Sequence, residues 1–236
     1  MGGKNPCIVT ANADLQKAAD GIVRSAYGLS GQKCSAVSRI YVDHKVADAL
    51  IEKLREKIAA INVGDPTLQK NWLGPVTTVS ALKNYERYSK QLTEKGARIL
   101  SGGKRLTEGE LAHGYFVAPT LAEAPADHPL FFEEMFVPIA MICRVRDRTE
   151  AVRLANDSRF GLTAGCFGND DDVAYFFDNI EAGGTYANRP QGATTGPWPG
   201  YQPFGGWKGS GSSGKGIASF YYLAQYQREQ SQTKVE

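Results

Sequence analysis

Short apolar runs alternate along this chain with segments whose apolar residues recur at helical spacing. That is the pattern of an α/β protein: an open, largely parallel sheet with helices on both faces. Residues 7–10 read as a strand. Leu15, Ala18, Ala19, Ile22 and Ala26 then mark one face of a helix that Asp14 can cap and Gly28 can stop. Residues 39–42 are the next expected strand, and Asp43 is placed to cap a second helix carrying Val46, Leu50, Leu54, Ile58 and Ile61. A third helix is expected over about 80–95. Residues 97–100 and 115–121 read as strands, the second at a sheet edge because Pro119 has no N–H for a central ladder. Residues 136–145 read as a strand broken near Pro138, and Asp147 with Glu150 makes a capping pair for a helix to Asn156. A strand at 162–167, a helix over 171–180 and a strand at 185–187 continue the alternation. Glycine and proline crowd into 190–216, which reads as a long loop. An amphipathic stretch at 217–227 precedes a polar tail.

With 236 residues, 42% of them hydrophobic, the chain can bury a core and is too apolar for disorder. Its 27 Lys+Arg against 25 Asp+Glu leave no basic surplus, so neither nucleic acid nor an anionic membrane is an expected partner. The longest apolar run, 136–143, falls well short of the roughly 20 residues that a membrane helix needs. The opening MGGKNPCIVT lacks the basic-then-apolar pattern of a secretory signal. Cys7, Cys34, Cys143 and Cys166 form no C-x-x-C pair, and His44, His113 and His128 add no ligand spacing. Neither a disulfide scaffold nor a metal site is therefore expected, and the chain reads as reduced and cytoplasmic.

Three of the cysteines lie inside apolar runs, where a thiol behaves as a small hydrophobe. Cys34 instead lies in the loop Gly31-Gln32-Lys33-Cys34-Ser35-Ala36, between an expected helix and an expected strand. A cation next door and open backbone amides favour the thiolate, the reactive form. On pattern alone, an inert loop residue is the commoner alternative.

This segment, followed by Ser38-Arg39, resembles the cysteine-nucleophile motif of the aldehyde dehydrogenase superfamily. Five further motifs match in the same order: Gly2-Gly3-Lys4-Asn5-Pro6, Gly114-Tyr115-Phe116-Val117 with Pro119-Thr120, Glu133-Glu134-Met135-Phe136 with Pro138, residues 156–162, and Pro203-Phe204-Gly205-Gly206-Trp207-Lys208 with Ser210-Gly211. The resemblance covers nearly the whole chain. It implies a catalytic, cysteine-bearing domain over 1–218 with a tail over 219–236 that serves oligomerisation, and an N-terminal cofactor domain and general-base glutamate lying outside this sequence.

The chemistry it implies is attack of the Cys34 thiolate on an aldehyde, hydride transfer to NAD or NADP, and hydrolysis of the resulting thioester. Glu134 matches the carboxylate that holds the nicotinamide ribose, and Phe136 flanks the cofactor. Val137 stands where the family commonly has glycine, which restricts the backbone there. Residues 156–162 are assigned no chemistry. Within the superfamily, the 1-pyrroline-5-carboxylate dehydrogenases are the nearest likeness, through Ser35, Asn188-Arg189 with Gly192-Ala193, and Gln202-Pro203-Phe204. In that subfamily Ser35, Gly192 and Ala193 would hold the substrate's α-carboxylate and Phe204 would pack on its aliphatic part, giving oxidation of glutamate 5-semialdehyde. Three readings follow: a dehydrogenase domain nearly inactive alone, a homo-oligomerising structural module, and a cofactor-free thiol esterase.

Overall fold

A computed structural model of the chain describes residues 2–191, 202–212 and 215–236. Nine strands and five α-helices are found among them: β1 (Asn5–Val9), α1 (Leu15–Tyr27), β2 (Val37–Asp43), α2 (Ala47–Ala59), α3 (Val79–Glu94), β3 (Arg98–Ser101), β4 (Thr120–Glu123), β5 (Ile139–Val145), α4 (Arg148–Asn156), β6 (Phe160–Gly161), β7 (Thr163–Phe167), α5 (Asp170–Asn179), β8 (Gly184–Ala187) and β9 (Trp207–Lys208). Seven strands make one sheet in the order β3-β4-β5-β2-β1-β7-β8, while β6 and β9 pair separately. Every pairing in the large sheet is parallel except β3 with β4.

Alternation along the central strands sorts the core into two layers, because successive side chains point to opposite faces. Cys7, Val9, Ile40, Val42, Ala140 and Ile142 pack beneath α1 and α2. Ile8, Tyr41, Met141, Cys143 and Val145 pack beneath α3, α4 and α5. The helices start where short polar side chains satisfy their first N–H groups. Asp14 accepts from Gln16 and Lys17, Thr78 from Ala81, Asp147 from Glu150, and Asn169 from Asp172. The Glu150 carboxylate reaches back one residue past the cap, to the Arg146 N–H at 2.8 Å.

The structure departs from expectation in three places. Asp43 does not cap α2; it closes a turn on the Lys45 N–H at 2.9 Å, and the helix begins after Val46 without a side-chain cap. The strand expected at 115–121 starts only at Thr120 and sits between β3 and β5, so it is not an edge. Pro119 precedes the ladder instead of interrupting it, and its missing N–H costs the sheet nothing. Finally, 217–227 is mostly irregular, with one short 3-10 turn at Leu223–Tyr226.

Arg39 is the largest side chain sealed inside among the described residues, at 1% exposure. Its guanidinium donates to Lys4 O at 2.7 Å, Ala155 O at 2.9 Å and Leu154 O at 3.3 Å. It thereby ties the lead-in to β1 to the last carbonyls of α4, which lack partners within their own helix.

Candidate active site

The segment carrying Cys34 is shaped by an unusual exit from α1. Leu29, Ser30 and Gly31 are all left-handed, with φ of 54°, 55° and 66°. Only glycine fits the last position, since a Cβ there would stand 2.5 Å from the Val137 carbonyl oxygen. Ser30 Oγ donates to Gly74 O at 2.8 Å, and Gln32 Oε1 accepts from the Thr77 N–H and hydroxyl at 3.1 and 3.0 Å. The Ala36 N–H then reaches Lys33 O at 3.1 Å, closing a turn with Cys34 and Ser35 at its tip.

That turn is clamped from beneath by Asn5, which is buried. Its Nδ2 donates to both Cys34 O and Ala36 O at 2.8 Å, and its Oδ1 accepts from the Thr163 N–H at 3.0 Å. One amide thus fastens the nucleophile turn to the starts of β1 and β7. Cys34 is half-buried, Ser35 is buried, and Lys33 is half-buried beside them. Burial lowers the Lys33 pKa, and the neighbouring Cys34 thiol partly offsets this. The other three thiols are sealed in the core: burial pushes Cys143 up to about 11 and Cys166 up to about 12, and raises Cys7 further.

Gly3 joins this turn to the second expected site residue. A Cβ on Gly3 would lie 2.2 Å from Cys34 O, so the backbones meet only because none is there. The Gly3 N–H donates to Glu134 Oε1 at 2.9 Å. Glu134 is half-buried, so this N–H fixes one oxygen without sealing the carboxylate. Phe136, two residues on, holds its ring 47% exposed on a left-handed backbone with φ of 55°. The left-handed backbone thus falls one residue before Val137, which is itself buried. Gly3, Lys33, Glu134, Phe136 and Val137 share in lining a cleft of about 20 Å³. Lys4, next to Gly3, is buried with no hydrogen-bond partner for its Nζ among the described residues. Burial, reinforced by the Arg39 charge, pushes its pKa down to about 7 against the opposing pull of Glu133 and Glu134.

The structure therefore brings Cys34, Ser35, Glu134 and Phe136 to one end of the sheet. Phe204 stands on the loop beyond, half-buried and paired in both directions with Ile217 at 2.9 Å. Gly192 and Ala193 lie outside the described residues. Within residues 156–162, Asn156 donates to Asn179 O and accepts from the Glu181 N–H. Sequence reading did not single out Asn5 or Ser210. For both, the only signal was membership of a glycine-rich motif.

A match to the aldehyde dehydrogenase family model runs over residues 1–231. The chain belongs to the aldehyde dehydrogenase family. It is 35% identical over 229 residues to 1-pyrroline-5-carboxylate dehydrogenase of Geobacillus kaustophilus strain HTA426, covering 96% of this chain and 43% of that protein. It is 35% identical over 214 residues to α-ketoglutaric semialdehyde dehydrogenase of Bacillus subtilis strain 168, covering 90% of this chain and 43% of that one. A crystal structure of 1-pyrroline-5-carboxylate dehydrogenase from Thermus with bound NAD superposes with a TM-score of 0.87 at 36% identity, over 95% of this chain and 42% of that one. The chain thus spans less than half the length of these aldehyde dehydrogenases.

Proposed function

We propose that this chain carries the nucleophile and the ribose-holding carboxylate of an NAD(P)-dependent aldehyde dehydrogenase of the 1-pyrroline-5-carboxylate dehydrogenase type, oxidising glutamate 5-semialdehyde to glutamate. The observation that carries the reading is Gly3, which sets the Cys34 turn and the Glu134 carboxylate against the same two-residue segment. A half-buried carboxylate with one oxygen fixed suits the two hydroxyls of a ribose. The exposed Phe136 ring beside it gives a nicotinamide an apolar neighbour. NAD or NADP, when bound, supplies the hydride acceptor.

In this reading the Cys34 thiolate adds to the aldehyde carbon, a C–S bond forms, and the carbonyl oxygen takes up the negative charge. The Cys34 backbone N–H helps to hold that oxygen. Loss of hydride from the same carbon leaves a thioester on Cys34, and attack of water releases the carboxylic acid and the thiol. Ser35, Gly192 and Ala193 are the groups proposed to hold the far carboxylate, with Phe204 on the aliphatic stem. The Bacillus subtilis relative supports a second substrate, α-ketoglutaric semialdehyde, which also carries a carboxylate opposite its aldehyde.

A cleft of about 20 Å³ holds roughly one water molecule, whereas dinucleotide-sized ligands need several hundred Å³. The remaining cofactor walls are accordingly proposed to come from outside these residues, and the 236 residues alone to give no NADH with glutamate 5-semialdehyde. Their thiol should still react. p-Nitrophenyl acetate is expected to release a burst of nitrophenol near one equivalent, lost in Cys34→Ala, which keeps the other three cysteines. A burst that survives Cys34→Ala, or sustained NADH production by this chain alone, would refute the reading.

A homo-oligomer is proposed as well, joined through the 219–236 tail. Phe220 is 97% exposed and Tyr226 75%, an arrangement that favours burial on a second copy. With all four cysteines free, a reduced cytoplasmic setting is the one proposed.

A further inference from the structure

The proposed ribose carboxylate is held by a peptide group, and the other end of that group is held too. Gly3 N–H donates to Glu134 Oε1 at 2.9 Å, and the carbonyl of the same peptide unit, Gly2 O, accepts from Ser210 Oγ at 2.6 Å. The Ser210 hydroxyl in turn accepts from the Gly161 N–H at 3.1 Å. Ser210 is 1% exposed, so its hydroxyl is shielded from solvent.

Written in order, the links run from the Gly161 N–H to the Ser210 O–H, through the Gly2 carbonyl to the Gly3 N–H, and on to the Glu134 carboxylate. Every donor points the same way along this path. Bonds in such a chain polarise one another, so strengthening the carbonyl end makes the amide end a better donor. Both anchors of Ser210 are themselves pinned. Gly161 pairs with Trp207 across β6 and β9, the Ser210 N–H reaches Trp207 O at 3.0 Å, and the Gly209 N–H reaches Arg159 O at 2.8 Å.

We infer that Ser210 is a positioning residue for the cofactor carboxylate: its hydroxyl fixes the plane of the Gly2–Gly3 peptide, and that plane sets where Glu134 Oε1 stands. The inference rests on the reading of Glu134 as the ribose-binding group, and it makes the 205–212 loop part of the cofactor site although none of its side chains need touch the cofactor. Without the hydroxyl, the peptide can rotate about its flanking bonds, and the glycines on both sides offer little resistance.

The test uses nuclear magnetic resonance on the full 236-residue chain and its Ser210→Ala variant, in which a smaller side chain replaces the serine. Ser210→Ala is expected to speed exchange of the Gly3 amide about tenfold and to shift the Glu134 carboxyl 13C resonance. The neighbouring Glu133 carboxyl resonance and the Ile8 and Val9 amides of β1 should stay in place. Ser210→Cys, whose thiol is a weak donor, should fall between the two. Unchanged Gly3 exchange with an unmoved Glu134 resonance would overturn the proposal. So would a shift that spreads equally through β1 and Glu133, since that is what a general packing defect produces. None of these readouts involves NAD. Failure of the ribose reading would show separately, as a Glu134→Gln variant that leaves NAD+ affinity unchanged in the protein completed with its cofactor-binding part.

Discussion

Lys4 is costly to bury: an amine enclosed entirely, beside the buried Arg39, with no hydrogen-bond partner for Nζ among the described residues. Its folded pKa, about 7, lies below the ordinary 10.5, so between those values the unfolded chain binds more protons than the folded one. Stability contributed through Lys4 must therefore rise as pH rises through 7, and below 7 the whole cost of burying the charge is present. Lys4→Met is expected to stabilise the protein by a few kcal/mol at pH 6 and by clearly less at pH 8.5. Thermal melts at the two pH values decide it, and an equal gain at both would show that Lys4 is not titrating in this range. Cys34 was legible at this scale because it alone among the cysteines escapes an apolar run. Asn5 and Ser210 were not, because their partners lie far off in sequence: Asn5 meets residues 29, 31 and 158 positions away, and Ser210 meets Gly2 at a separation of 208. Periodicity reports which face a residue occupies; it is silent on which distant backbone group a polar side chain will find.

At the level of elements, periodicity did well where one face is buried and the other wet. The stripes of α1 and α2 were visible, and β2 and β5, buried on both faces, showed as apolar runs instead, while the ends were less so. Asp43 had the chemistry of a cap but spent it on its own turn, and Pro119 was read as inside a strand that it only introduces. The connection from α1 to β2 shows why sites resist such reading: three successive left-handed residues and an amide clamp have no period at all. The clamp is open to test. Asn5→Ala strips hydrogen bonds from Cys34 O, Ala36 O and the Thr163 N–H in a buried place, a loss of about 2–4 kcal/mol. A lowered melting temperature and a diminished nitrophenol burst are expected together. A variant that melts lower yet keeps the full burst would mean that the turn is shaped without Asn5.

For the molecule as a whole, the tail is the part least explained by the chain itself. Phe220, Tyr221, Leu223 and Tyr226 stand in water at 61–97% exposure. Replacing Phe220 and Tyr226 together by Ser should convert an assembly into a monomer by static light scattering, with the burst retained; a wild-type chain that is already monomeric would dispose of the idea. The candidate site also occupies an unexpected end of the sheet. In open α/β sheets, ligands usually bind beyond the carboxyl ends of the strands. Here Gly3, Cys34, Glu134 and Thr163 stand at or before the amino ends of β1, β2, β5 and β7. Past the carboxyl ends of β1 and β7, Asp172 takes bonds from Thr10, Asn12 and Arg148.

That polarity has a practical corollary. Lys45 is exposed just past the end of β2, whereas Cys34 comes just before its start, and a seven-residue strand spans roughly 23 Å. A bead or electrode linked through Lys45 would hold the molecule by the end of the sheet opposite the thiol.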